Sequence, residues 1–348
     1  MPVSFDCDLR HQFKVPSRRH AITRPERGEV GADSLVIGLI NNMPDAALET
    51  TERQFIDLLD AATKDRSIRL KLYSLPEVPR TDAGREYLST GYSDLDELWN
   101  DHLDALIVTG TEPHASDLRD EPYWATLAKV IAWAEHNTIS TIWSCLAAHA
   151  AVLHLDGIAR LPLPDKRFGV FDFARTSNHP ILRHAPAQLR FPHSRWNDLQ
   201  ERELVTNGYS ILAQSAEAGV DTFVKKTKSL FVFFQGHPEY KADTLFREYR
   251  RDVARFLRRQ REKYPTIPQG YFDEQTANSL SAFRDRAVKG QCEQLLAVFP
   301  DAPPSLRATA PWTSQAARIY RNWLTFIANQ KNQRSRPARV TLDRRRMS

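Results

Sequence analysis

The stretch STIWSCLAAHA, residues 140–150, decides the fold of this chain. Its first half has the pattern of a short apolar strand, its second half is alanine-rich and helical, and Cys145 lies at the junction. In open α/β sheets, functional groups lie outside the carboxyl ends of the strands. A sharp strand-to-helix turn exposes its central residue, requires small neighbours such as Ala147 and Ala148, and places a helix N-terminus beside the sulfur. The pattern predicts that Cys145 is a nucleophile at the end of a parallel strand.

The same alternation of strand and helix precedes this stretch. Apolar runs at 35–40, 68–75 and 103–108 have the length of strands. Continuous apolar runs are typical of parallel strands that are buried on both faces. Helical patterns at 45–63 and 123–136 lie between and after them. The alternation predicts parallel βαβ units, and therefore an α/β fold with a doubly wound, mostly parallel sheet.

The second half of the chain has a different pattern. Residues 157–235 contain shorter β-like pieces, and helical patterns follow at 241–262 and 318–330. Residues 263–311 are interrupted by prolines and favour an irregular insertion. We therefore expect helical additions at the C-terminal side of the fold. The expected parts are an N-terminal arm (1–33), one domain that includes the insertion (34–330) and a basic disordered tail (331–348).

Composition excludes several classes of protein. The chain has 348 residues, of which 41% are hydrophobic and 26% are charged, as is ordinary for a globular protein with a sizeable core. No apolar run approaches the roughly 18 residues that a membrane span requires. Near the N-terminus, Asp6, Asp8 and Arg10 interrupt any apolar core of a signal peptide. We therefore expect a cytoplasmic protein that does not bind membranes.

Charge and cysteine content exclude further functions. The formal net charge is +5, and much of it lies in the arginine-rich segment 332–348, without the interleaved aromatic residues of single-strand binders. We expect no nucleic-acid partner. The three cysteines, Cys7, Cys145 and Cys292, form no CxxC pair, which argues against a disulfide framework or a zinc site. We expect no metal, and Cys7 and Cys292 have the pattern of ordinary small apolar residues.

A second apolar strand pattern ends in polar residues that can serve a cysteine nucleophile. Residues 231–240 read FVFFQGHPEY, so His237 and Glu239 follow directly on the strand. A cysteine nucleophile needs a base, and the base needs an acceptor that orients it. Residues two apart in an extended segment point the same way, so Glu239 can hold the His237 ring. The alternative is a surface His-Glu pair in a turn.

The order of these elements resembles known proteins. A strand-end cysteine, followed 92 residues later by a strand-end His-Pro-Glu, resembles the flavodoxin-like fold of class I glutamine amidotransferases. Over residues 35–327 the chain more closely resembles the homoserine O-succinyltransferase family, the homoserine O-acyltransferases of methionine biosynthesis. The matching motifs are NMP (42–44), TERQF (51–55), LIVTG (106–110), YW (123–124), PHSR (192–195), GHPEY (236–240), RD (251–252) and NWL (322–324).

The resemblance implies a ping-pong acyl transfer that needs no cofactor beyond an acyl-CoA co-substrate. Cys145 would attack the thioester of succinyl-CoA or acetyl-CoA and hold the acyl group as its own thioester. His237 would act as general base, and Glu239 would orient it. The acceptor would be homoserine or a related hydroxy amino acid. The resemblance also implies a homodimer.

Three substrate-binding residues follow from the same resemblance. Lys166 falls where the family has a substrate-binding lysine, and Ser194 of the PHSR motif falls at a position linked to specificity. Arg251 matches an arginine that grips the acceptor carboxylate, a task suited to a guanidinium. The alternatives are a surface lysine, a turn serine and a helix-surface arginine.

The chain departs from the family at two places. The family has a lysine shortly after Met-Pro, where this chain reads Met43-Pro44-Asp45, so the oxyanion would rely on backbone donors such as the Leu146 N–H. His114 occupies the position that the family associates with the choice of acyl donor. A protonated imidazole there would pair with a succinyl carboxylate, although a solvent-exposed histidine explains the residue as well.

Two other functions remain open on the sequence. One is an amidotransferase-type hydrolase that releases ammonia from glutamine, although Cys145 lacks the glycine neighbours usual in that class. The other is a non-catalytic binding protein on the same fold. The complete set of Cys145, His237 and Glu239 favours the acyltransferase.

Overall fold

The computed structural model describes residues 3–5, 34–63, 66–307 and 310–335. Most of the predicted arm, including Cys7, and the tail from 336 onward lie outside the described residues. The strands are β1 (Val3–Phe5), β2 (Leu35–Ile40), β3 (Ile68–Tyr73), β4 (Ala105–Val108), β5 (Ser140–Ser144), β6 (Leu161–Arg175), β7 (Gln188–Asp198), β8 (Ser210–Ser215), β9 (Gly219–Lys226) and β10 (Leu230–Phe234). The helices are α1 (Asp45–Ala62), α2 (Asp82–Gly91), α3 (Leu95–Leu98), α4 (Trp124–Asn137), α5 (Leu146–Asp156), α6 (Glu201–Thr206), α7 (Thr244–Leu257), α8 (Glu274–Lys289) and α9 (Thr313–Ser335).

The strands form one sheet in the order β1-β3-β2-β4-β5-β10-β9-β8-β6-β7. The pairs from β1 to β10 are parallel. Five of these strands, β3-β2-β4-β5-β10, follow the order 2-1-3-4-5 of flavodoxin-like sheets. Every residue of β4, β5 and β10 is buried, as parallel strands between two helix layers require. The predicted α/β fold with a doubly wound, flavodoxin-like sheet is confirmed.

Strands β6, β7, β8 and β9 extend the sheet beyond β10 in antiparallel pairs, and we call them the antiparallel wing. The wing is larger than the short pieces expected from the sequence. Strand β6 has 15 residues, and β7, which the sequence did not predict, pairs with it over most of its length. Polar residues within both strands obscured the apolar pattern, because much of the first half of β6 lies at the surface.

Helices cover both faces of the sheet. Helices α1 and α9 pack on one face, with Phe55 and Trp323 in the core, and α4 and α5 pack on the other face, with Val130 and Ala148. The Trp323 indole N–H donates to the hydroxyl of Ser140 at 2.8 Å. The C-terminal helix therefore holds the strand that carries the predicted nucleophile.

Regular structure is present in all three segments that the sequence predicted to be irregular, namely the arm, the insertion and the tail. Within the predicted arm, β1 pairs with β3 at the sheet edge. Within the segment 263–311, α8 begins at the N-cap Asp273 and buries Phe283 against Phe299. Helix α9 continues to Ser335, inside the predicted tail. Among the described helices, none is long and apolar enough to cross a membrane.

Candidate active site

Cys145 lies at the strand-to-helix turn predicted from the sequence. It is the N-cap of α5, with φ 51° and ψ −113°, a backbone conformation that costs a residue with a side chain about 1–3 kcal/mol. Its N–H donates to the carbonyl of Phe234 at 2.7 Å, and its own carbonyl accepts from the Ala148 N–H at 2.9 Å. The side chain is partly exposed and lines a cavity of about 520 Å³. The turn thus holds the sulfur outside the sheet, between β5 and β10.

Leu146, the residue predicted to bind an oxyanion, lies beside Cys145 in the same cavity. It is the first residue of α5, so its N–H belongs to the helix-terminal donors that have no intrahelical acceptor. Gly110 lies against it, since a Cβ added there would be 2.5 Å from the Leu146 Cβ and 3.0 Å from its nitrogen. A side chain at Gly110 would therefore displace the first residue of α5, and with it the Leu146 N–H.

His237 and Glu239 lie side by side, and both are buried. Nδ1 of His237 is 2.8 Å from Oε1 of Glu239, and the ring also hydrogen-bonds Cys145, which leaves Nε2 for the sulfur. Burial disfavours the imidazolium, but the charge interactions and hydrogen bonds with Cys145 and Glu239 outweigh burial and raise the pKa of His237 well above its ordinary value. The structure therefore brings the three predicted catalytic residues together in one hydrogen-bonded row.

The antiparallel wing supports the turn that carries His237. The His237 N–H donates to the carbonyl of Pro192 at 2.9 Å, and the Gly236 N–H donates to Oδ1 of Asp221 at 2.9 Å. His193 Nε2 lies 3.2 Å from the same carboxylate oxygen, and burial lowers the pKa of His193 to about 4, so its ring is neutral. Pro192, His193 and Asp221 of the wing thus hold the turn that carries His237 in place.

Glu248 is a residue that the sequence analysis missed. Oε2 accepts the Ser194 hydroxyl at 2.6 Å, and Oε1 accepts the Tyr240 hydroxyl at 2.6 Å. Burial raises the pKa of Glu248, but Lys166 and these two hydroxyls outweigh burial and lower it. Tyr240 in turn stacks on the His237 ring, with the centroids 4.2 Å apart. The sequence feature that could have identified Glu248 is an acidic residue on the buried side of α7.

Lys166 and Arg251 meet at a second buried acid. Nζ of Lys166 lies 3.4 Å from Oδ2 of Asp252 and 3.6 Å from Oε2 of Glu248. Arg251 donates to Oδ1 of Asp252 at 3.0 and 3.1 Å, while its side chain remains 45% exposed. Lys166, Ser194 and Arg251 therefore all line the cavity that contains Cys145.

Two residues at family-specific positions lie elsewhere. His114 is exposed, and its backbone N–H donates to Glu121 at 2.6 Å. The cavity wall there is formed by Thr111, Glu112 and Pro113, and His114 does not contribute to it. Asp45 points away toward α2 and accepts the Thr81 N–H at 2.8 Å.

The other cysteine described in the structure, Cys292, is exposed. Among the described residues, no group of His, Cys, Asp or Glu has an arrangement that could hold a metal ion.

A cysteine at a strand-to-helix turn, with a buried His-Glu pair beside it, defines a class of α/β enzymes that react through a cysteine nucleophile. The sequence profile of the family described as "Homoserine O-succinyltransferase" matches residues 18–334. The chain belongs to the homoserine O-succinyltransferase family, as its motifs predicted.

Individual proteins show the same relationship. The chain is 45% identical over 306 residues to the "Homoserine O-succinyltransferase" of Rhodopseudomonas palustris, covering 88% of this chain and 92% of that protein. It is 46% identical over 330 residues to the protein of the same name from Bradyrhizobium japonicum, covering 94% and 100%. A solved structure titled as a glutamine amido transferase from Methylobacillus Flagellatus matches with 14% identity and a TM-score of 0.48, covering 84% of this chain and 95% of that chain.

Proposed function

We propose that this enzyme transfers a succinyl group from succinyl-CoA to the side-chain hydroxyl of homoserine, through a thioester on Cys145. The observation that carries the proposal is the buried array of Cys145, His237 and Glu239, which opens into a cavity lined by basic side chains. The names of the relatives support the choice of acyl group and acceptor.

In the first half-reaction, the Cys145 thiolate attacks the thioester carbonyl of succinyl-CoA. The carbonyl oxygen becomes negative and accepts a hydrogen bond from the Leu146 N–H at the start of α5, a position favoured by the helix dipole. The carbon–sulfur bond to CoA then breaks, and the CoA thiolate takes the proton from Nε2 of His237. The products are CoA and the succinyl thioester of Cys145.

In the second half-reaction, Nε2 of His237 accepts the proton of the homoserine hydroxyl as its oxygen attacks the acyl carbon. The bond between that carbon and the Cys145 sulfur breaks, which releases O-succinylhomoserine and restores the thiolate. Glu239 keeps Nδ1 occupied through both steps, so the same nitrogen always faces the reacting atoms.

The cavity can bind both substrates by charge. Arg251 already donates to Asp252 but is 45% exposed, so its free edge can bind the homoserine carboxylate. Arg247 and Arg255 also line the cavity, each about one turn of α7 from Arg251 on either side of it, and suit the phosphates of CoA. We further propose that the enzyme is a cytoplasmic homodimer without nucleic-acid or membrane partners. The family resemblance supports the homodimer, and light scattering would test it.

Intact-mass spectrometry tests the proposed intermediate. Incubation with succinyl-CoA alone should add one succinyl group, and Cys145→Ala should abolish the adduct and lower the transfer rate by about 10⁴-fold or more. Cys292→Ala is the matched control, because that thiol is exposed and outside the cavity, and it should acylate normally. An enzyme that forms no adduct with any CoA thioester, but hydrolyses glutamine, would refute the proposal.

A further inference from the structure

Arg160 is a basic residue of the cavity wall to which neither the motifs nor the proposed steps assign a role. It directly precedes β6, is partly buried, and lines the same cavity as Cys145. Its Nη2 donates to the carbonyls of Ala115 and Ser116, each at 3.1 Å. These two bonds attach one nitrogen of the guanidinium to the loop that carries the family's donor-selecting position.

The other two nitrogens of Arg160 have no acceptor among the described residues. Nε and Nη1 are buried, and neither has a hydrogen-bond partner within the part of the chain that the structure describes. A buried donor without an acceptor is costly, so such groups call for an explanation, and the usual ones are a bound water or a ligand. The basic groups near the acceptor site differ, because Lys166, Arg195 and Arg251 already contact carboxylates.

The surroundings of Arg160 suit an anion in the cavity. Its electrostatic partners are Tyr123, Glu121, Asp117 and Cys145. Two of these acids are already engaged: Asp117 pairs with Arg119 at 2.6 Å, and Oε1 of Glu121 accepts the N–H groups of His114 and Ala115. Cys145 and Arg160 line the same cavity, so an acyl group on the sulfur shares that cavity with the guanidinium.

We propose that Arg160 binds the free carboxylate of the acyl group carried by Cys145 and thereby makes the enzyme select a dicarboxylic donor. This inference rests on the proposed acyl transfer. A succinyl group has its carboxylate two methylenes beyond the thioester carbonyl, and the unpaired nitrogens of Arg160 supply charged donors for it. A neutral acyl group leaves these donors buried and unpaired, so the cavity discriminates against it. Donor choice would then depend on Arg160, on the inner side of the loop, and not on the exposed His114.

Single-turnover acylation of Cys145 by succinyl-CoA and butyryl-CoA tests the inference, since the two acyl groups have the same length and differ in the terminal carboxylate. In Arg160→Met, the rate with succinyl-CoA should fall by on the order of 10²-fold, while the rate with butyryl-CoA stays the same or rises. Arg160→Lys should recover part of the preference, because it keeps the charge. Arg119→Met removes an exposed arginine near the same loop and should leave both rates unchanged.

A parallel loss with both donors in Arg160→Met would assign Arg160 a structural role and overturn the inference. Arg160→Gln and Arg160→Lys are judged by the same ratio if the methionine variant does not fold. A wild-type enzyme that accepts both donors equally also overturns the inference, but leaves acyl transfer through Cys145 intact. Failure of the proposed function has a different signature, because then no CoA thioester acylates the wild type.

Discussion

The parallel part of the sheet (β1–β5 and β10) and the antiparallel wing supply different parts of the active site. The parallel strands hold Cys145, whose N–H donates to the end of β10, and they place Gly110 against the first turn of α5. The wing carries Lys166 on β6 and Ser194 on β7, and its Pro192 carbonyl holds the His237 turn. The parallel strands therefore position Cys145 and the start of α5, whereas the wing positions Lys166 and Ser194 and supports the His237 turn.

The largest effect in this comparison should come from the parallel part, through Gly110→Ala. The new Cβ would lie 2.5 Å from the Leu146 Cβ and 3.0 Å from its nitrogen, so the helix start must shift. Because loss of one oxyanion donor costs about 10²–10³-fold in kcat, we expect a decrease of that size in acylation rate. Gly290→Ala is the control, since its Cβ would meet nothing closer than 3.8 Å. Unchanged acylation in Gly110→Ala would remove Leu146 from the mechanism.

Glu239→Gln tests the turn between the two parts. Glu239 is one of the groups that overcome burial and raise the pKa of His237, so its loss should lower that pKa. The imidazolium that protonates CoA would then be lost at lower pH, and the alkaline limb of the pH–rate profile should move to lower pH, with a rate loss of about tenfold to a hundredfold.

The same shift has a consequence for stability. A raised His237 pKa stabilises the fold fully below the ordinary histidine pKa of about 6.5, and this contribution disappears as the pH rises through the folded value. In Glu239→Gln the contribution should disappear at lower pH, as urea unfolding at several pH values would measure. If the alkaline limb of the pH–rate profile does not move in Glu239→Gln, then Glu239 does not raise the pKa of His237 and only packs against its ring.

A smaller and more selective effect should come from the wing, through Ser194→Ala. The variant removes the 2.6 Å hydrogen bond to Glu248, and a hydrogen bond to a charged group is worth about 1.5–3 kcal/mol. We expect the KM for homoserine to rise by about tenfold, while acylation by succinyl-CoA stays at the wild-type rate. Ser194→Thr keeps the hydroxyl and should restore the KM. An equal loss in acylation would show that the wing also takes part in the first step.

The positions of the catalytic groups could be predicted because the signals are local. The apolar run before Cys145, the alanines after it and the spacing of His237 and Glu239 each lie within about ten residues, which is the range over which strand and helix periodicity acts. The same applies to the βαβ alternation that predicted the sheet. In contrast, β7 was missed because polar positions interrupt its apolar pattern.

The sequence by itself thus determined the class of fold and the family motifs, and it predicted which residues meet beside Cys145. The tertiary structure alone decided which charges meet in the cavity. Ser194 reaches Glu248 across 54 residues, and Arg160 reaches the loop at Ala115 across 45 residues. The physical reason is that a hydrogen bond or ion pair depends on distances of a few ångströms between side chains, which only the packing of wing, loop and helix α7 sets.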